Sequence, residues 1–74
     1  MQKHFIYLTS VTYAVRGQRL LAQSGIVTKV SKDTVNIRKY GCGYGLELRG
    51  DPSTAVQLLQ QAGIRVVEVV NMGM

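Results

Sequence analysis

A seven-residue pattern, identical at five positions, occurs twice in this chain. Leu20-Leu21-Ala22-Gln23-Ser24-Gly25-Ile26 returns as Leu58-Leu59-Gln60-Gln61-Ala62-Gly63-Ile64. In both copies a helical run meets a glycine, and an apolar run of β-type residues follows. Glycine just past a helix accepts the left-handed conformation without a Cβ penalty, so it is the usual C-terminal signal. The repeat therefore divides the chain into two strand–helix–strand halves.

Reading outward from the repeat gives the elements. His4 to Leu8 is rich in aromatic and branched residues and predicts the first strand. Ser10 predicts an N-cap for a helix over Val11 to Ser24. Its buried face is Tyr13, Ala14, Gly17, Leu20 and Leu21, and its outer face Thr12, Arg16, Arg19 and Gln23. Gly17 inside a helix costs about 1 kcal/mol relative to Ala, which points to a close approach of the helix to the sheet. Ile26 to Val30 predicts the second strand, and Thr34 to Ile37 a short extra one. Tyr44 to Arg49 predicts the third. Asp51-Pro52 opens the second helix, Asp as cap and Pro in the first turn. Ala55, Leu58, Leu59 and Ala62 form its buried stripe. Ile64 to Val70 predicts the last strand, and 71–74 a loose tail. The order βαββαβ with right-handed crossovers is an α+β, ferredoxin-like arrangement: a four-stranded antiparallel sheet with two helices on one face.

With 74 residues the chain is read as one domain over 1–74, near the lower limit for burying its own core. A single cysteine excludes an internal disulfide and a cysteine-rich metal site, and it predicts a reducing, cytoplasmic setting. No run approaches the ~20 apolar residues that span a bilayer, and no secretory signal is expected. The net charge of +5 permits an acidic partner without requiring one, because the basic residues are scattered.

The cysteine is the candidate reactive group. It sits in Gly41-Cys42-Gly43-Tyr44-Gly45, just after Arg38-Lys39. A thiolate is favoured by nearby positive charge and open access, and the three glycines strip the surroundings of side-chain bulk. In the βαββαβ order the connection before the third strand lies at the same sheet end as the turn into the first helix. Cys42 is therefore expected near Thr9, Ser10, Val11 and Thr12, where free N–H donors and the positive end of the helix dipole stabilise an anion. The thiol is then expected to titrate below the free value of ~8.5. The plainer reading is a cysteine buried as a small hydrophobe in a structural or regulatory module. For Ser10 and Thr12 the plain role is capping.

Other chemistries find little support. His4 begins the strand whose far end faces Cys42, on the order of 15 Å away, so a Cys–His pair is not expected. The four acidic residues are spread out and form no carboxylate pair. The glycine run precedes a strand and matches neither a dinucleotide fingerprint nor a P-loop. No cofactor or metal is expected. An RNA-recognition module is the competing reading. It shares the element order, and Ile6-Tyr7-Leu8 and Gly43-Tyr44-Gly45 partly match its two signatures, with Tyr7 and Tyr44 as stacking rings. Cys42 stands where that signature has a cation, and Leu46 and Arg49 replace two of its aromatics.

Ser10-Val11-Thr12-Tyr13-Ala14 together with Gly41-Cys42-Gly43-Tyr44 resembles a family of small selenium/sulfur carrier-like proteins. The resemblance runs over nearly the whole chain, through Gly17, Leu21, Gly25-Ile26 and Ala62-Gly63-Ile64. It implies that Cys42 carries sulfur or selenium as a persulfide or perselenide, between donor and acceptor proteins of selenium metabolism. Arg38, Lys39, Ser10, Val11 and Thr12 would then hold the anion, and Gly41, Gly43 and Gly45 would shape the loop. The family pattern includes a proline with a basic residue ahead of the cysteine; Asp33 to Tyr40 holds Arg38-Lys39 and no proline. The Cys-Pro motif of other small sulfur-transfer proteins is also absent. With no general acid or base in sight, the chain reads as a carrier without turnover of its own.

Overall fold

Both copies of the repeat fold into the same helix stop. The structure, a computed structural model, describes residues 3–32 and 43–73. The first helix, α1, spans Val11–Gln23, and the second, α2, spans Ser53–Gln61. After α1, Ile26 N–H donates to Leu21 O at 2.8 Å and Gly25 N–H to Ala22 O at 3.0 Å. After α2, Ile64 N–H donates to Leu59 O at 2.9 Å and Gly63 N–H to Gln60 O at 3.0 Å. These are two Schellman motifs, and Gly25 and Gly63 carry the left-handed φ of 81° and 80° that such motifs require. The repeated Leu and Ile are the motif's apolar contact pair, which explains why the sequence repeats there.

Among the described residues there are also four strands: β1 Lys3–Leu8, β2 Lys29–Lys32, β3 Tyr44–Arg49 and β4 Val66–Gly73. They form one antiparallel sheet in the order β2-β3-β1-β4. With the helices between them this is the ferredoxin-like βαββαβ fold. Even-numbered positions of β1 and β3 (Ile6, Leu8, Leu46, Leu48) share one core with Ala14 and Leu21 of α1 and Ala55 and Leu59 of α2. Strand side chains alternate between faces, so both helices cover the same face. Gly17 sits where α1 meets that core. A Cβ there would stand 2.8 Å from Leu59 Cδ2 and 3.2 Å from Leu46 Cδ1, so the expected close approach is real, to α2 as well as to the sheet.

Several boundaries differ from expectation. β2 starts at Lys29, three residues after Ile26. The Schellman turn commits the Ile26 N–H to Leu21, and Gln18 Nε2 donates to Thr28 O at 3.1 Å, taking a carbonyl that a ladder would use. Val27 is left 87% exposed. α1 ends at Gln23 with Ser24 as its C-cap. Tyr13 lies on the surface under the Arg16 guanidinium, 5.8 Å from its ring centroid, so the buried stripe is narrower than expected. Ala62 is exposed because it is the cap after the last turn of α2. Asp51 accepts from Ser53 N–H at 2.9 Å as a cap does, while the N-cap position itself falls to Pro52, expected in the first turn and already in helical dihedrals. Residues 71–73, expected as tail, belong to β4: register shifts skip Val67 and Met72, so the strand runs on until Gly73 pairs with Lys3. The extra strand expected over Thr34 to Ile37 lies outside the described residues.

Candidate functional site

β3 begins beside the end of β1. Tyr7 pairs with Gly45, and on the other side Lys32 pairs with Tyr44. β1 ends at Leu8 and leads through Thr9 into Ser10, the N-cap of α1, whose extended backbone turns the chain into the helix. The head of β3, the end of β2 and the start of α1 therefore share one end of the sheet, as the sequence predicts. Ser10 Oγ accepts from Tyr13 N–H at 3.3 Å, and Ser10 O accepts from Ala14 N–H at 3.0 Å. The first-turn N–H groups of Val11 and Thr12 have no acceptor within the helix. Both residues are exposed.

Gly43 precedes β3 with φ of 81°, a left-handed turn in the residue that follows the cysteine. Gly45 serves a different need. A Cβ on it would run into Ile6 O and stand 2.5 Å from Phe5 Cε1, so the strand can pass only without a side chain. Lys32 brings its ammonium 5.4 Å from the Tyr44 ring centroid, adding a cation at this end. Gly41, Cys42, Arg38 and Lys39 lie outside the described residues. His4 pairs with Leu48, three residues along β3 from Gly45, which keeps it at the far end as expected. Among the described residues no group of three or more His, Cys, Asp or Glu is placed to hold a metal, and no helix is long and apolar enough to cross a membrane.

The two tyrosines of the RNA-recognition reading do not form one platform. Tyr7 is 1% exposed, its ring 4.5 Å from that of Phe5. Tyr44 alternates with Gly45, Tyr7's partner, and so falls on the opposite face of the sheet.

One arrangement is not foreseen by the sequence analysis. Glu47, on the face away from the helices, accepts from Lys3 Nζ at 2.6 Å and from the Ser31 hydroxyl, tying β1, β3 and β2 together. The hydrogen bonds from Lys3 and then Ser31 hold its carboxyl below the usual value against a smaller opposing effect of burial. Alternation in Leu46-Glu47-Leu48 gives Glu47's face, but its partners depend on strand register, which the sequence does not carry. No protein-family model, curated protein or solved structure matches the chain. The class of protein is thus defined by its ferredoxin-like fold and by the shared end of β1, β2, β3 and α1.

Proposed function

We propose that the protein is a sulfur or selenium carrier that holds a persulfide or perselenide on Cys42. The observation that supports this most is the register Tyr7↔Gly45, which sets the head of β3 beside the capped start of α1. Cys42 is bonded directly to Gly43, the last residue before that strand. Ser10 uses its hydroxyl on Tyr13, which leaves the Val11 and Thr12 N–H groups for an anion. In the transfer step the Cys42 thiolate attacks the terminal sulfur of a donor persulfide. A new Cys42 S–S bond forms, the donor S–S bond breaks, and the donor leaves as a thiolate. The sulfane sulfur moves with its proton and no external oxidant is consumed. Arg38 and Lys39 supply positive charge to the loaded anion. Donor and acceptor are proteins that present and accept this group.

Incubation with a cysteine desulfurase and cysteine tests the reading. Mass spectrometry is expected to find one added sulfur on the wild type and none on Cys42→Ser. An unmodified wild-type protein whose thiol alkylates normally would overturn it.

A further inference from the structure

The end of the sheet away from Gly43 holds a cavity of about 870 Å³, within the range of small-molecule sites. It exists because Ile26–Thr28 leave the sheet. β2 covers β3 only as far as the pair Lys29↔Glu47, so among the described residues Leu48 and Arg49 have no strand beside them on that side. Ile26, Val27, Thr28, Lys29, Leu48 and Arg49 line the gap.

Two buried side-chain polar atoms lack a hydrogen-bond partner among the described residues, Thr28 Oγ1 and His4 Nδ1. Both are at this end. Thr28 is a wall of the cavity, and His4 pairs with Leu48, another wall. Unpartnered buried polar atoms are costly, and neither of these is open to solvent, so the cavity's ligand is read from its charges. The charges tell which sign. The carboxylates here are already engaged: Glu47 by Lys3 and Ser31, and Asp51 by the Ser53 N–H. Arg49 lies two residues past Glu47 on the same face, about 7 Å along the strand. Neither Arg49 nor Lys29 forms an ion pair among the described residues, and Lys29 feels Glu47 only as a lesser, through-space charge. The Ser53 N–H leaves the charge of Asp51 in place, and Lys29 and Arg49 outweigh it, so the balance to be neutralised is positive.

We propose that this cavity binds a small organic anion. Its carboxylate or phosphate head sits between Lys29 and Arg49, and its apolar body covers Ile26, Leu48 and the exposed Val27. The site is independent of Cys42 and occupies the opposite end of the sheet.

The test is a titration of the isotope-labelled chain followed by amide NMR, with benzoate, phenyl phosphate and, as the uncharged control, benzyl alcohol. Saturable shifts are expected at Thr28, Lys29, Leu48 and Arg49 and not along Val11 to Arg19, with benzyl alcohol weaker by about tenfold or more. The head group that binds tighter identifies the carboxylate or phosphate class. Lys29→Gln and Arg49→Gln are each expected to weaken binding about threefold, and the double variant about tenfold. The variants' own spectra report whether they are folded. Shifts that stay linear for both anions up to about 50 mM, equal binding of benzyl alcohol, or unchanged affinity in folded variants overturns the proposal.

Discussion

A Cβ placed on Gly45 would collide with the Ile6 carbonyl, and one on Gly17 would press on the side-chain ends of Leu59 and Leu46. Both glycines are buried, yet the obstacles differ in kind. The carbonyl belongs to β1 and cannot move without breaking the pairing of β1 with β3. The leucine methyls can turn, although Leu59 and Leu46 are themselves 0% exposed. Gly45→Ala is therefore expected to cost more than about 3 kcal/mol and to leave little folded protein. Gly17→Ala gains about 1 kcal/mol of helix propensity against an overpacking cost of about 1–3 kcal/mol, for a net loss near 1 kcal/mol. Chemical denaturation of both variants checks the order; a Gly45→Ala protein as stable as Gly17→Ala would contradict the packing described. The sequence announces Gly17, because a glycine inside a helical pattern asks for a reason. It gives a different impression of Gly45. Within Gly41-Cys42-Gly43-Tyr44-Gly45 that glycine reads as part of a reactive loop, whereas its demand comes from the strand beside it.

The two Schellman turns offer a comparison within one molecule. Gly25 and Gly63 have the same φ within a degree, and a Cβ on either would meet nothing within 4 Å. Only backbone strain is at stake, so Gly25→Ala and Gly63→Ala are each expected to cost about 1 kcal/mol, and the double variant their sum. Unequal costs measured by denaturation would mean that one turn carries something besides its cap. The cross-strand bridge at Glu47 is tested by acid. Its folded pKa is depressed, so its contribution is present above the unfolded value of about 4.5 and is lost as pH falls through the folded value. Wild type is expected to exceed Glu47→Gln in stability by on the order of 1 kcal/mol at pH 7, and the gap to shrink as pH falls from about 4.5 through the lower folded value. A gap that does not change between pH 7 and full acid protonation would count against the charge-assisted bonds. At this scale the elements are legible where local chemistry decides them: the Ser10 cap, the glycine stops, the alternation in β3. They are less so where tertiary hydrogen bonds decide. Gln18 takes the Thr28 carbonyl and delays β2, and register shifts against β1 carry β4 on to Gly73.

Across the whole molecule the sheet separates two kinds of chemistry. One end carries the capped helix start and the strand that follows Cys42; the other carries the cavity, His4 and the Glu47 bridge. The first was readable from the sequence because fold order alone brings a β3 head to an α1 start. The second was not, because it depends on where β2 begins. Burial also decides which experiment can separate a carrier from a nucleic-acid binder. Tyr7 is 1% exposed, so Tyr7→Ala is expected to cost about 3–5 kcal/mol of stability and would depress any activity by unfolding. The informative residue is Cys42. If the thiol serves transfer and not packing, Cys42→Ser is expected to stay within about 0.5 kcal/mol of wild type, as a surface change does. Iodoacetamide is then expected to modify the native protein without prior unfolding, at a rate that rises with pH and levels off below the free thiol's ~8.5. Denaturant separates the alternatives directly. An accessible thiol with a depressed pKa reacts no faster at pH 7 when the chain is unfolded. A packed thiol reacts only in the open state, so its rate climbs with denaturant as the unfolded fraction does. The second pattern, together with a Cys42→Ser loss of several kcal/mol, would assign Cys42 to the core and end the carrier reading.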